Sequence, residues 1–232
     1  MADAPFLLVP GLNANARVYR DAVERLWAYG PVTVANHLEG EGIEGIARKI
    51  LADAPPDFAL AGFSFGGYLA FEILRQARSR VTRLALIDTS PRPDTPESTA
   101  TRRQRIAQTQ AGKFGLVVQQ SFGGSVHPDH LKDAALMAVH TEMSNANGPE
   151  AYVRHQEAII GRPDSRPDLA AIAVPTTIIV GEADTITPPE VAEEMHQGIA
   201  GSRLVVIPDA GHLALLEQPQ AVATALRDWA TP

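Results

Sequence analysis

The chain has 232 residues, 45% of them hydrophobic and 20% charged, and 20 basic against 27 acidic side chains give a net charge of −7. A chain of this length buries roughly 70–75% of its unfolded surface, so a single domain carrying an insertion needs no covalent or metal staple. The absence of cysteine excludes disulfides, a thiol nucleophile and thiolate metal sites, and the acidic balance argues against nucleic acid, whose phosphates demand positive charge.

The opening residues MADAPFLLVPGLNANARVYR lack a basic leader, and the apolar run at 6–9 is too short for an export signal. No stretch approaches the roughly 20 apolar residues that span a bilayer. A cytoplasmic protein with no membrane span is therefore expected; oligomeric state stays open.

In chain order, short apolar runs alternate with helical patterns. Residues 6–9 form a strand that stops at Pro10-Gly11, and 17–28 carry Val18, Ala22, Leu26 and Trp27 at helical spacing. A second strand at 32–35, a helix at 43–54, a third strand at 58–61, a helix at 68–78 and a fourth strand at 84–87 follow. After Pro91 the strand rhythm lapses, and helices are expected near 98–111, 129–143 and 149–160. Strands return at 176–180 and 204–207, followed by helices near 189–199 and 214–230. Continuous apolar strands alternating with helices predict a parallel sheet covered on both faces. Residues 1–90 and 169–232 would form this core, and 91–168 a helical insertion over one edge.

Ligands in open α/β sheets sit beyond the carboxyl ends of the strands. There the third strand runs into Gly62-Phe63-Ser64-Phe65-Gly66-Gly67 and directly into a helix, the setting of a G-x-S-x-G nucleophile elbow. The glycines let the backbone pass close, so that Ser64 is held strained with its hydroxyl above the sheet. The following helix aims N–H groups at the same point. The bland reading, a glycine-rich phosphate-binding turn, lacks a second glycine fingerprint or a ribose-binding acid. A serine hydroxyl needs a general base, and that base an orienting acid. Asp184 falls just past the fifth strand and His212 just past the sixth, on the same rim and in the chain order this elbow uses. Asp88, at the end of the fourth strand, is the alternative acid, with Glu182 and Asp209 nearby.

Four segments, "LLVPGLNANARVY", "LAGFSFGGYLAFEIL", "IIVGEADTITPP" and "IPDAGHLALLEQP", closely resemble a small bacterial member of the α/β-hydrolase superfamily. The resemblance implies an α/β-hydrolase fold with Ser64 as nucleophile, His212 as base and then acid, and Asp184 as orienting carboxylate. It also implies an oxyanion hole built from the N–H groups of Phe65 and Leu12, although Pro10-Gly11 stands where many relatives carry His-Gly. The implied activity is hydrolysis of a carboxylic ester through an acyl-enzyme, without a cofactor. Lactone, amide, carbon–carbon or perhydrolase chemistry uses the same triad, and a rival of another class is a ligand receptor on this fold.

The remaining candidates weigh less. Of the seven histidines, His37 lies near the second strand's end and could line the pocket. His127, His130, His140 and His155 belong to the insertion without ligand spacing, so no metal site is expected. Phe63 and Phe65 flank the nucleophile and would wall an acyl pocket. Tyr152, His155, Gln156 and Ile159 share a stripe that would roof it, Tyr152 foremost. Arg102, Arg103 and Arg105 form a basic run that either attracts an anionic substrate or is a solvated helix face.

Overall fold

Every strand of the sheet is parallel to its neighbours, which requires a crossover between each pair and buries both faces. The protein, a computed structural model, is described over residues 5–231. Residues 1–4, within the stretch read for an export signal, and residue 232, at the end of the second core segment, lie outside it.

Strands β1 (Phe6–Val9), β2 (Val32–Val34), β3 (Phe58–Phe63), β4 (Val81–Ile87), β5 (Thr176–Gly181) and β6 (Arg203–Ile207) form one sheet in the order β2-β1-β3-β4-β5-β6. Side chains alternate between two cores, as a period of two demands. Leu7, Phe58, Leu60, Leu84 and Leu86 pack on one face, and Phe6, Leu8, Ala59, Phe63 and Ile87 on the other. Helices α1 (Arg20–Leu26), α2 (Gly42–Asp53) and α3 (Phe65–Ala77) follow the first three strands. The apolar stripe of α2, Ile43, Ile46, Ala47 and Ile50, joins α3 in the first core, while α1 lies in the second.

Between β4 and β5 lie α4 (Pro96–Gln110), α5 (Phe114–Gly123) and α6 (Ala134–Ile160). Here the periodic reading needs correction. Helix α5 lies outside the expected helices: no side chain caps its start, although Phe114, Val117, Val118 and Phe122 keep helical spacing. The helix expected from 129 begins only at Ala134, where the Asp133 carboxylate caps the N–H groups of Ala135 and Leu136. It joins the third expected helix across a kink at Gly148 (φ 83°, ψ 166°). Pro149 lacks an N–H and restarts the helix there. The last segment holds α7 (Pro189–Gly198), α8 (Ala214–Glu217) and α9 (Pro219–Ala230), so the helix expected over 214–230 is broken before Pro219. Among the described residues no helix is long and apolar enough to cross a membrane.

Candidate active site

The elbow is built by close backbone approaches. A Cβ on Gly62 would lie 2.4 Å from the Gly66 carbonyl oxygen, and one on Gly66 would lie 2.0 Å from that of Val9. Neither position admits a side chain, so α3 can pack against the ends of β1 and β3. Ser64 sits between them at φ 53° and ψ −114°, a conformation costing roughly 1–3 kcal/mol that persists only when its surroundings enforce it. They do so through its N–H, which donates to Ile87 (2.9 Å), and its carbonyl, which accepts from Gly67 N–H and the Thr89 hydroxyl (both 2.8 Å).

The Ser64 hydroxyl meets His212 Nε2 at 2.8 Å, and His212 Nδ1 donates to Asp184 Oδ2, also at 2.8 Å. Asp184 is held in turn. Its Oδ1 accepts from the N–H groups of Ile186 (2.8 Å) and Thr187 (3.0 Å), and its Oδ2 from the Thr187 hydroxyl (2.7 Å). Burial alone would raise this carboxyl, but His212 and the Thr187 hydrogen bonds outweigh it and hold Asp184 below the usual carboxylate range. Asp88 has the opposite fate. Fully buried and facing the charges of Asp184 and Glu217, its carboxyl is pushed well up, and its Oδ1 accepts from Gly181 N–H (2.8 Å) while Oδ2 has no partner among the described residues. Asp184 rather than Asp88 therefore meets His212.

The N–H groups of Phe65, first residue of α3, and of Leu12, in the loop after β1, donate to no acceptor among the described residues. That loop is braced from behind. His37 Nε2 donates to the Gly11 carbonyl (3.1 Å), and His155 Nε2 to the His37 carbonyl (2.8 Å). A carbonyl only accepts, so both rings carry their proton on Nε2. Burial pushes His37 down to about 4; burial and the neighbouring His37 push His155 down to about 3.

A cavity of about 450 Å³ opens over Ser64 and His212. Leu12, Phe63 and Tyr68 line it from the sheet side, and Arg102, Arg105 and Ser121 from the inserted helices. Among the described residues no group of three or more His, Asp or Glu side chains is placed to hold a metal.

The family model for the alpha/beta hydrolase family matches residues 6–225. The chain belongs to the alpha/beta hydrolase family. A pimeloyl-(acyl-carrier protein) methyl ester esterase of Neisseria meningitidis serogroup B is 29% identical, the match covering 96% of this chain and 91% of that protein. A serogroup A counterpart is 30% identical over 96% of this chain and 75% of its own length. Among solved structures, a thermophilic esterase from Thermogutta terrifontis with malate bound superposes with a TM-score of 0.88 at 30% identity, covering 97% and 89% of the two chains. An enol-lactonase from Burkholderia xenovorans shares the fold (TM-score 0.86, 22% identity, 99% and 92% covered).

Within this hydrolase fold several expected side chains fall elsewhere. Phe63 lines the cavity and packs on the His212 ring at 5.7 Å, but Tyr152 does not reach it. Tyr152 is buried among the inserted helices, against Phe114 and hydrogen-bonded to Gln156 (2.7 Å). A helical stripe reports which residues share a face, not which layer lies opposite. Of that stripe Ile159 alone lines the cavity. The Phe65 ring, fully buried against His155 (4.7 Å), is no pocket wall, and His37 lies behind the loop rather than in the pocket. One residue went unanticipated. The Glu217 carboxylate, buried, accepts from Gly211 N–H (2.8 Å), His127 N–H (2.6 Å) and His130 Nδ1 (2.7 Å), so it clasps the His212 loop to the insertion. An acid inside an apolar helix stripe, in "LALLEQP", was the available signal.

Proposed function

We propose that this protein hydrolyses carboxylic esters of small molecules through a Ser64–His212–Asp184 triad and an acyl-enzyme. The observation that carries the reading is the unbroken hydrogen-bond chain from Ser64 Oγ through His212 to Asp184, with 2.8 Å at each link. The names of the related esterases support the reaction class.

In the first half-reaction Ser64 Oγ bonds to the ester carbonyl carbon while its proton passes to His212 Nε2. The displaced carbonyl electron pair rests on oxygen, bound by the N–H groups of Phe65 and Leu12. Asp184, kept ionised, stabilises the imidazolium without taking its proton. Collapse of the tetrahedral adduct breaks the carbon–alcohol bond, and His212 returns the proton to the leaving alcohol. Water, deprotonated by His212, then attacks the acyl carbon, and the acid departs as Ser64 regains its proton. Phe63 walls the acyl site, 1–90 with 169–232 forms the hydrolase core, and 91–168 caps the cavity. No cofactor is needed for any step.

The test is intact mass after incubation with a fluorophosphonate, beside a Ser64→Ala variant. One adduct on the parent and none on the variant is expected, with turnover of p-nitrophenyl esters falling roughly 10⁴–10⁶-fold in the variant. A folded parent that takes no label would overturn the reading and leave a ligand receptor.

A further inference from the structure

The cavity has two unlike walls. On the sheet side Leu12, Phe63 and Tyr68 surround Ser64, whereas α4 turns a polar stripe toward it: Ser98, Thr101, Arg102 and Arg105. These positions recur at intervals of three and four, so they share one helix face. The three arginines of that helix are used differently. Arg103 points outward and pairs with Glu157, and Arg102 is held by Asp94 (3.1 Å) and Gln156 (2.8 Å). The Arg105 guanidinium, half-buried, makes no hydrogen bond or ion pair with any described residue.

A guanidinium partly withdrawn from water and left without a counter-charge is costly, and the cheapest remedy is an anion that enters with the ligand. Glu97 also lines the cavity, but it is exposed and stands two turns earlier, about 12 Å along the helix axis. It therefore does not neutralise Arg105 at contact range.

We infer that Arg105 forms an anion subsite, so that the preferred substrates are esters carrying a second, ionised carboxylate that the α4 wall receives while Ser64 attacks the ester. This rests on the ester-hydrolase reading and names its substrate class. The guanidinium binds the carboxylate and takes no part in the bond changes, so its loss raises KM more than it lowers kcat.

The experiment compares monomethyl succinate, glutarate and adipate with methyl butyrate, valerate and hexanoate, by alkali uptake at constant pH. A second arm places the carboxylate on the alcohol side, as 2-carboxyethyl butyrate against propyl butyrate. The parent should prefer the charged member in at least one arm. Arg105→Gln should lower its kcat/KM for that ester about tenfold or more, mainly through KM, and leave the neutral ester unchanged. Arg105→Lys should recover part of the loss, and Arg103→Gln should match the parent. Equal use of charged and neutral esters by the parent, or equal losses on both in Arg105→Gln, overturns the subsite. If Ser64 takes the fluorophosphonate label but shows no charge preference, this inference alone fails. If it neither labels nor turns over any ester, both readings fail.

Discussion

The rim loops of the sheet and the inserted helices face each other across one cavity, yet they are built on different terms. On the rim, backbone meets backbone. A Cβ on Gly66 would stand 2.0 Å from the Val9 oxygen, and one on Gly181 would stand 2.0 Å from the Gly211 oxygen. In the insertion, Gly115 and Gly124 have nothing within 4 Å of that position. The rim thus leaves no freedom of residue type at its contact points, while the insertion supplies side chains over a tolerant backbone. Rigid positioning suits bond-breaking groups, which lose rate steeply when misplaced; a wall that selects substrates gains from being free to vary.

Within the rim itself, the two buried acids differ most. Asp184→Asn should lower kcat by roughly 10⁴-fold, because an amide no longer favours the tautomer and charge that His212 needs. Asp88→Asn should leave kcat near the parent value, since Asp88 does not touch His212 and its amide oxygen keeps the Gly181 bond. A large loss at Asp88 would break the assignment. The two differ in stability too. The raised carboxyl of Asp88 favours folding at low pH and loses that contribution as pH rises above the usual carboxylate range. Melting temperatures of Asp88→Asn should therefore gain on the parent toward alkaline pH.

The glycines give the next test. Gly66→Ala should destabilise by about 4 kcal/mol or more, or abolish soluble expression, because the opposing atom is backbone and cannot swing away. Urea melts that show a small change would refute the close-packing account of the elbow.

A milder effect is expected where rim and insertion meet through titrating groups. His37 and His155 are depressed to about 4 and about 3 from an ordinary 6.5, so the unfolded chain takes up protons first on acidification. Their contribution is complete above pH 6.5 and is lost progressively as pH falls toward those values. His155→Gln, which keeps a donor for the His37 carbonyl, should flatten that acid limb in melts followed against pH. The smallest effect belongs to Gly115→Ala in α5, which should raise stability by about 0.5–1 kcal/mol through the unfolded chain's lost freedom. A loss there instead would show the insertion to be as tightly constrained as the rim.

How much was legible follows the same division. All six strands were readable because each is a short apolar run stopped by a turn, and Ser64, His212 and Asp184 because each follows a strand end. Helix α5 escaped because it is short and uncapped, although Phe114, Val117, Val118 and Phe122 keep helical spacing. Tyr152 was misplaced onto the cavity because periodicity does not say whether a stripe meets a pocket or another helix. Phe65 divides its roles: its N–H donates to no described residue, while its ring packs in the core against His155.

The amino-acid sequence by itself determined the parallel sheet, the elbow glycines and the order Ser64, Asp184, His212. All of these are local demands of strand length, turn sterics and chain connectivity. Tertiary structure alone decided that Glu217 clasps the His212 loop to the insertion, and that Arg105 faces the cavity while Arg103 faces outward. Those choices depend on distances between segments far apart in the chain. No local pattern encodes them, because burial and charge act through space.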